Sequence, residues 1–359
     1  MIRPISILFM TAVTGFAGTL TWKQLPALPE PLGVAAPYAG VTGGGLLVAG
    51  GAHFSGKMPW EGGSKKWVDQ VWWLAGPGGS WKEVGKLPRP LGYGISVTHG
   101  NSLICVGGSD EKQHHSACFR LIWQQNQLRT EPLPDLPIAL SAASGAMVGD
   151  WLIVCCGAEQ PGEQAATNRA FAMDLKMPEP AWKELPALPG KSRILATAAA
   201  HDGVFYLFGG AALAPDADGK VARQLLKDAW SFSLKDGWSR LADLPKPCVA
   251  APSPAPVMEE SGPGPEAGAF ALLLAGDDGS RAGFKPVDQH PGFPDGILRY
   301  EFAADRWGTS GRVPAPRATV PCVKWGTSFV IPSGEVRPGV RSPEVWALSV
   351  ESTPAPSKP

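Results

Sequence analysis

Several things are scarce in this chain. Only six cysteines occur in 359 residues, and no two of them form a C-x-x-C pair. That argues against a zinc centre of the usual ligand spacing, and no metal is expected. There is no excess of either charge: 32 Lys and Arg balance 32 Asp and Glu, with no basic stripe. A nucleic-acid partner is therefore not expected. Beyond the N-terminus, no apolar run is long enough to cross a membrane, so no span is expected in the mature chain. Neither a G-x-S-x-G elbow nor a phosphate-binding glycine loop appears.

Glycine (44), proline (37) and tryptophan (14) are abundant. That mixture suits many short strands joined by many turns. The first residues, "MIRPISILFMTAVTGFAG", place one arginine before an apolar run and then small residues. This is the layout of a secretory signal peptide over residues 1–17, and implies a periplasmic or secreted protein. A buried first strand or a single anchor is the competing reading. Cys105 and Cys118 flank one expected hairpin. In an oxidising compartment they could be bridged; the alternative is that all six cysteines are small buried hydrophobes.

The chain repeats. A W…LP signal recurs as "WKQLPALP", "WKEVGKLP", "WKELPALP" and "WSRLADLP", with weaker copies at "RTEPLPDLP" and "WGTSGRVP". After each comes a small-residue strand, then a very apolar strand ending at glycine: "LLVAGG", "LICVGG", "LIVCCG", "FYLFGG", "LLLAGD" and "FVIPSG". A variable loop and another strand complete each unit. Four strands per unit, at roughly fifty residues per repeat, describe an all-β, six-bladed kelch-type β-propeller. It is expected over residues 18–350, with a polar, Pro-rich tail at 351–359. The first W…LP strand has no blade in front of it. It is expected to close the sixth blade and so remove the sheet edges.

In such a blade, the loop between strands two and three emerges on the same face as the link to the next blade. The loop "SGEVRPGVR" therefore lies over the channel, bringing Glu335, Arg337 and Arg341 together. Arg89, Arg193 and Arg317 open first strands at the same end. His53, Glu61, Lys65, Lys66, His114 and His115 lie on neighbouring loops, and Tyr38 and Tyr93 near the channel strands. A concave site of this kind is the default binding site. Arginine suits carboxylate recognition and a glutamate can move a proton; together they suit chemistry on an acidic sugar. A solvated Glu–Arg pair, or rim salt bridges at Arg193 and Arg317, are the competing readings. Strand alternation in a regular two-residue Pro338-Gly339 hairpin would place Glu335 and Arg341 on opposite faces.

At this loop the sequence resembles the N-acetylneuraminate (sialic acid) mutarotase or epimerase family of exported bacterial kelch propellers. "SGEVRPGVR" is similar to that family's catalytic loop, G-E-x-[K/R]-P-G-x-R. The blades around "LLVAGGAHF", "EGGSKK" and "LGYGISVTHGNSLICVGG" resemble those that follow the loop in the family. Here the loop lies in the last blade instead of mid-chain, so the resemblance is to a cyclically permuted branch. It implies that Glu335 is the catalytic proton acceptor and Arg341 its companion. Arg337, Arg193, Arg317, Arg89, His53, Glu61 and Tyr93 are candidate substrate-binding residues. It also implies a small-molecule sugar substrate and no cofactor. Two other classes stand beside this one. One is a non-catalytic kelch module that binds glycan or protein. The other is a sialidase-like hydrolase, against which the absence of Asp-box repeats counts. A copper-radical oxidase is a poor fit to a chain with four tyrosines in no such context. Oligomeric state is not legible.

Overall fold

The computed structural model describes residues 18–162, 164–215, 218–260 and 268–352. Residues 1–17, which carry the expected signal peptide, lie outside the described residues. Within them, six four-stranded antiparallel sheets are arranged as the blades of a propeller. The first is typical: Tyr38–Thr42, Gly45–Ala49, Gln70–Leu74 and Trp81–Lys86 pair in chain order, from the channel outward. The second strand is apolar throughout because both of its faces are covered by neighbouring blades. Leu46, Leu47, Val48 and Ala49 are all buried, as expected for a strand with no solvent face.

The sixth blade is assembled from both ends of the chain. Val323–Trp325, Ser328–Pro332 and Val345–Ser352 are completed by Gly18–Leu25. The register runs from Gly18↔Ser352 to Leu25↔Val345, antiparallel without interruption. This is the closure expected from the unaccompanied W…LP strand. The last strand reaches Ser352, two residues into the stretch expected as tail, because Gly18 and Thr19 are there to pair with it.

The W…LP signal has a direct physical meaning. The indole N–H on an outer strand donates to a carbonyl at the end of the preceding blade's outer strand. Trp81 reaches Pro26 O at 2.8 Å, Trp182 reaches Pro134 O at 2.7 Å, and Trp238 reaches Pro186 O at 2.7 Å. Proline carbonyls are well suited because proline ends its strand without a ladder N–H. Between blades, apolar clusters such as Val106, Cys118, Val154 and Phe171 fill the wedge.

The channel end that bears the long loops is tied by two six-fold patterns. First, one residue per blade, just before the inner strand, has a positive φ: Ala36, Tyr93, Ala142, Leu195, Ala250 and Thr319. Each donates its N–H to the carbonyl of the equivalent residue in the preceding blade, at 2.7 to 3.0 Å, and Ala36 to Thr319 closes the circle. A left-handed conformation costs a non-glycine residue about 1–2 kcal/mol. Each hydrogen bond of the ring offsets that by roughly 1 kcal/mol. Second, a bridge in each blade joins the incoming link to the residue that follows the glycine of the apolar strand. The pairs are Ala35↔Ala52, Gly92↔Ser109, Ser141↔Ala158, Ile194↔Ala211, Val249↔Asp277 and Ala318↔Glu335. The loops between strands two and three are thus held at one depth around the channel mouth.

Of the two readings of the cysteines, the structure takes the second, and Cys105 and Cys118 are not bridged. In the ladder Cys105 pairs with Phe119 and Cys118 with Val106. The two side chains therefore point to opposite faces of the sheet. All six cysteines are free and buried. Burial pushes the Cys118 thiol up to about 12.

Candidate active site

The Glu335 loop is a small hairpin, Glu335–Arg337 with Val340–Arg341. Its pairing is not regular. Arg337 pairs with Val340, but Glu335 pairs with Arg341, so Val336 is an extra, bulged residue. The bulge cancels the alternation that would have separated the two side chains, and places Glu335 and Arg341 on one face. Arg341 Nη1 lies 3.4 Å from Glu335 Oε1. Gly339 occupies the turn at φ +81°, where a Cβ would strike Pro59 at 2.7 Å. Gly334, before the hairpin, has φ +104°, which strains any side chain, and a Cβ there would sit 3.0 Å from Val320. These two positions explain the glycines of G-E-V-R-P-G.

Each oxygen of Glu335 is positioned. Oε1 accepts the Gly339 N–H at 2.9 Å, and Oε2 accepts the Thr319 hydroxyl at 3.2 Å. Arg341 is 9% exposed. Its guanidinium stacks 4.7 Å from the Phe54 ring, and Nη2 reaches the Tyr93 hydroxyl at 3.4 Å. Nε and Nη1 are buried and make no hydrogen bond. Unmet buried donors of this kind call for a ligand or water.

These groups line a cavity of about 250 Å³ over the ring of positive-φ residues. One wall is polar: Lys65, Tyr93, Thr319, Glu335 and Arg341. The other is largely apolar, with Leu195, Val249, Ala250 and Phe293, but it carries Asp277 and Arg223. The Lys65 ammonium sits 4.3 Å from the Tyr93 ring centre and 5.4 Å from that of Trp67. No carboxylate of a described residue lies within ion-pair distance of it. A cation over aromatic faces is held in place without being neutralised.

The other candidates from the sequence are placed differently. Arg193 is wholly buried and faces away from the cavity. It makes a two-pronged pair with Asp228, at 2.7 and 2.5 Å, and donates to the Lys191 and Gly209 carbonyls. Burial raises the Asp228 carboxyl, but the Arg193 hydrogen bond and charge outweigh it and hold the group below its ordinary value. Trp230 Nε1 also donates to Asp228. The sixth blade repeats the arrangement: Arg317 pairs with Glu344, which accepts from Trp346 Nε1. Arg193 has spent its donors on holding loop to blade, and Arg317 is held by Glu344 and Ser342, with its Nε buried and without a hydrogen bond. Arg89 is exposed on the outside of its link.

Arg337 reaches sideways to the Asp288 carbonyl and ties the hairpin to the fifth blade's loop. Glu61 accepts the Met58 N–H at 2.8 Å and caps the short turn Pro59–Glu61, which packs under Gly339. His53 is buried 3.9 Å from Glu30, behind Arg341 and outside the cavity lining. Burial lowers its pKa below the ordinary value, with Lys66 and Arg341 adding to this and Glu30 opposing it. His114 contacts the Ala158 carbonyl, and His115 pairs with Asp110 at 2.8 Å. Among the described residues no group of three or more His, Cys, Asp or Glu could hold a metal ion. Of the candidates, then, Glu335, Arg341 and Tyr93 come together.

Lys65, which the sequence places on a neighbouring loop, joins them, and Thr319, Phe54, Phe293 and Asp277 complete the site without having been singled out. For Asp277 a signal was present. It follows the glycine of "LLLAGD" as Glu335 follows that of "FVIPSG", and no other blade has a carboxylate there.

The protein-family model for N-acetylneuraminate epimerase matches residues 10–130 and 133–254. An N-acetylneuraminate epimerase from Haemophilus influenzae (strain PittEE) is 29% identical over 234 residues, 59% of this chain and 57% of that protein. One from Salmonella enteritidis PT4 is 39% identical over 108 residues, 26% of this chain and 28% of that protein. The matches thus span less than two thirds of either relative. A solved structure described as that of YjhT superposes with a TM-score of 0.60 at 13% identity, covering 91% of this chain and 99% of that one, a likeness of fold. The family-model match stops at residue 254, so the Glu335 hairpin and Asp277 lie beyond it. Because that match takes in more than half of the sequence, and the blades it covers form the walls next to Arg341, the chain belongs to the N-acetylneuraminate epimerase family.

Proposed function

We propose that this protein is a mutarotase that interconverts the α and β anomers of a sialic acid or a closely related acidic sugar. The observation that carries the reading is the bulged hairpin, which holds a carboxylate and a buried guanidinium on one face of a cavity. Anomers exchange by ring opening and reclosure on the other face of the carbonyl. The anomeric hydroxyl must lose a proton while the ring oxygen gains one. Glu335, fixed by Thr319 and Gly339, accepts the first proton. The reaction needs no cofactor.

The sugar's carboxylate is gripped by the Lys65 ammonium and the unmet donors of Arg341. Lys65 and Arg341, side by side on the polar wall, favour an acidic over a neutral sugar, since charge-assisted hydrogen bonds are about twice as strong as neutral ones. Phe293 and Leu195 offer an apolar surface for a substituent such as an acetamido methyl. The hairpin sits in the last blade, as a cyclically permuted ring requires. Closure by the N-terminal strand makes the position of the chain ends immaterial to the site. From the N-terminal apolar run we propose export, which mass spectrometry of the mature N-terminus near Gly18 checks.

Saturation-transfer NMR on N-acetylneuraminate tests the activity. The protein should exchange the anomers faster than buffer, and Glu335→Gln should lower that rate by ~10²–10⁴ while the sugar still binds. Binding without exchange by the wild-type protein would leave a glycan-binding propeller.

A further inference from the structure

Ring opening needs two proton movements, and Glu335 provides for one. We propose that Asp277 is the second catalytic group, exchanging a proton with the ring oxygen from the blade next to the Glu335 hairpin. This rests on the mutarotase reading of the same cavity.

Four observations carry it. Asp277 and Glu335 are the two carboxylates that line the cavity among the described residues. They occupy equivalent positions in adjacent blades, each bridged to its incoming link, as Val249↔Asp277 and Ala318↔Glu335. They therefore stand at the same depth, one blade apart, as two groups acting on neighbouring oxygens of one ring must. The other four blades have Ala52, Ser109, Ala158 and Ala211 at that position, none of which titrates as an acid. Finally, the two carboxylates differ in what holds them. Glu335 carries Arg341, whereas Asp277 has no cation of a described residue within ion-pair distance. Its Oδ1 accepts the Gly279 N–H at 2.9 Å, and no described residue donates to Oδ2. The neighbouring Asp278 is the one spent on an ion pair, with Lys246 at 2.9 Å.

Other groups do not fill the role. His53 lies outside the lining, behind Arg341. The Tyr93 hydroxyl faces Arg341 Nη2.

The proton balance closes. Glu335 takes the proton of the anomeric hydroxyl as the anomeric carbon becomes a carbonyl. The bond from that carbon to the ring oxygen breaks, and its electron pair takes a proton from the carboxylic acid form of Asp277. The open-chain sugar turns its other carbonyl face to the new hydroxyl. That hydroxyl attacks the carbonyl carbon and returns its proton to Asp277. The carbonyl oxygen takes the proton held on Glu335. Both carboxyl groups end as they began, and nothing is oxidised or reduced.

The test is N-acetylneuraminate exchange by saturation-transfer NMR across pH, with binding followed by ligand-observed NMR on the same samples. Wild type should give a bell-shaped profile. Asp277→Asn should lower the exchange rate at saturating sugar by ~10²–10⁴, lose one limb of the bell and still bind the sugar. Asp277→Glu, which keeps the acid on a longer arm, should recover part of the rate. Asp278→Asn, outside the cavity lining, should exchange like wild type. If wild type exchanges but Asp277→Asn keeps the rate and both limbs, or only weakens binding, the assignment of Asp277 is overturned and the mutarotase reading stands. If wild type does not exchange, both fall. Retained sugar binding by Asp277→Asn separates a lost proton carrier from a lost fold.

Discussion

Glu335 and Arg341 pair directly across a hairpin that has one residue too many, and they meet because the extra residue, Val336, bulges out of the pairing. Deleting it leaves Glu335 beside Arg337 and still opposite Arg341, now in a regular hairpin. We expect a Val336 deletion to keep anomer exchange; a loss of ~10²-fold, the scale of one lost proton-transfer group, would show that the bulge sets more than the shared face. The hairpin lies outside the blade sheets, so the thermal midpoint should move little. A large fall in the midpoint would show instead that the bulge serves stability.

Lys65, in the cavity lining, has no carboxylate of a described residue within ion-pair distance. Lys65→Met keeps the stem against Tyr93 and Trp67 and removes the charge. A hydrogen bond to a charged group is worth about 1.5–3 kcal/mol. The apparent KM for N-acetylneuraminate should therefore rise roughly ten- to a hundred-fold, with turnover at saturation largely kept. An equal loss of turnover with unchanged KM would contradict the binding role.

Arg193 is buried against Asp228 and two carbonyls, away from the cavity. Arg193→Met should leave Asp228 charged and partnered only by Trp230. Breaking a buried pair on one side costs about 3–5 kcal/mol. Urea unfolding should show that loss, while anomer exchange by the folded fraction stays near wild type. A selective loss of sugar binding would return Arg193 to the site.

His53 gives stability a pH dependence of known sign. Burial depresses its pKa below 6.5 in the folded protein. As pH falls through the unfolded value, the unfolded chain takes up a proton that the folded one does not, so the folded state loses stability from about pH 6.5 downward. Above that pH the contribution of His53 is constant. His53→Gln should flatten this part of the curve in thermal unfolding measured against pH. An unchanged slope would place the effect on other groups.

The N-terminal strand closes the ring by an uninterrupted ladder from Gly18 to Leu25. Deleting Thr19–Pro29 should expose the edge of Val345–Ser352, lower the thermal midpoint and promote aggregation. Light scattering and melting of the truncated protein check this; unchanged behaviour would mean that the blade holds without its fourth strand.

The sequence by itself determined the propeller. Six apolar strands ending at glycine, and tryptophans set before Leu-Pro, are local and periodic, and each has one physical use: burial between blades, and an indole bond to the neighbouring blade. The unaccompanied first W…LP strand was enough to foresee ring closure. Glu335, Arg341 and the glycines of their loop were legible for a similar reason, being packed into nine residues. What only the tertiary structure decided is which distant side chains share the cavity. Alternation alone would part Glu335 from Arg341, and a bulge is a matter of register that composition does not carry. Arg193 and Arg317 sit at the right height in the chain, but Asp228 and Glu344 claim them, and those partners lie 35 and 27 residues away. Cys105 and Cys118 are near in sequence yet fall on opposite faces, because one ladder step separates them. Asp277 and Lys65 reach the cavity because the ring brings the first, fifth and sixth blades around one channel mouth, a proximity set by closure between residues 18–25 and 345–352.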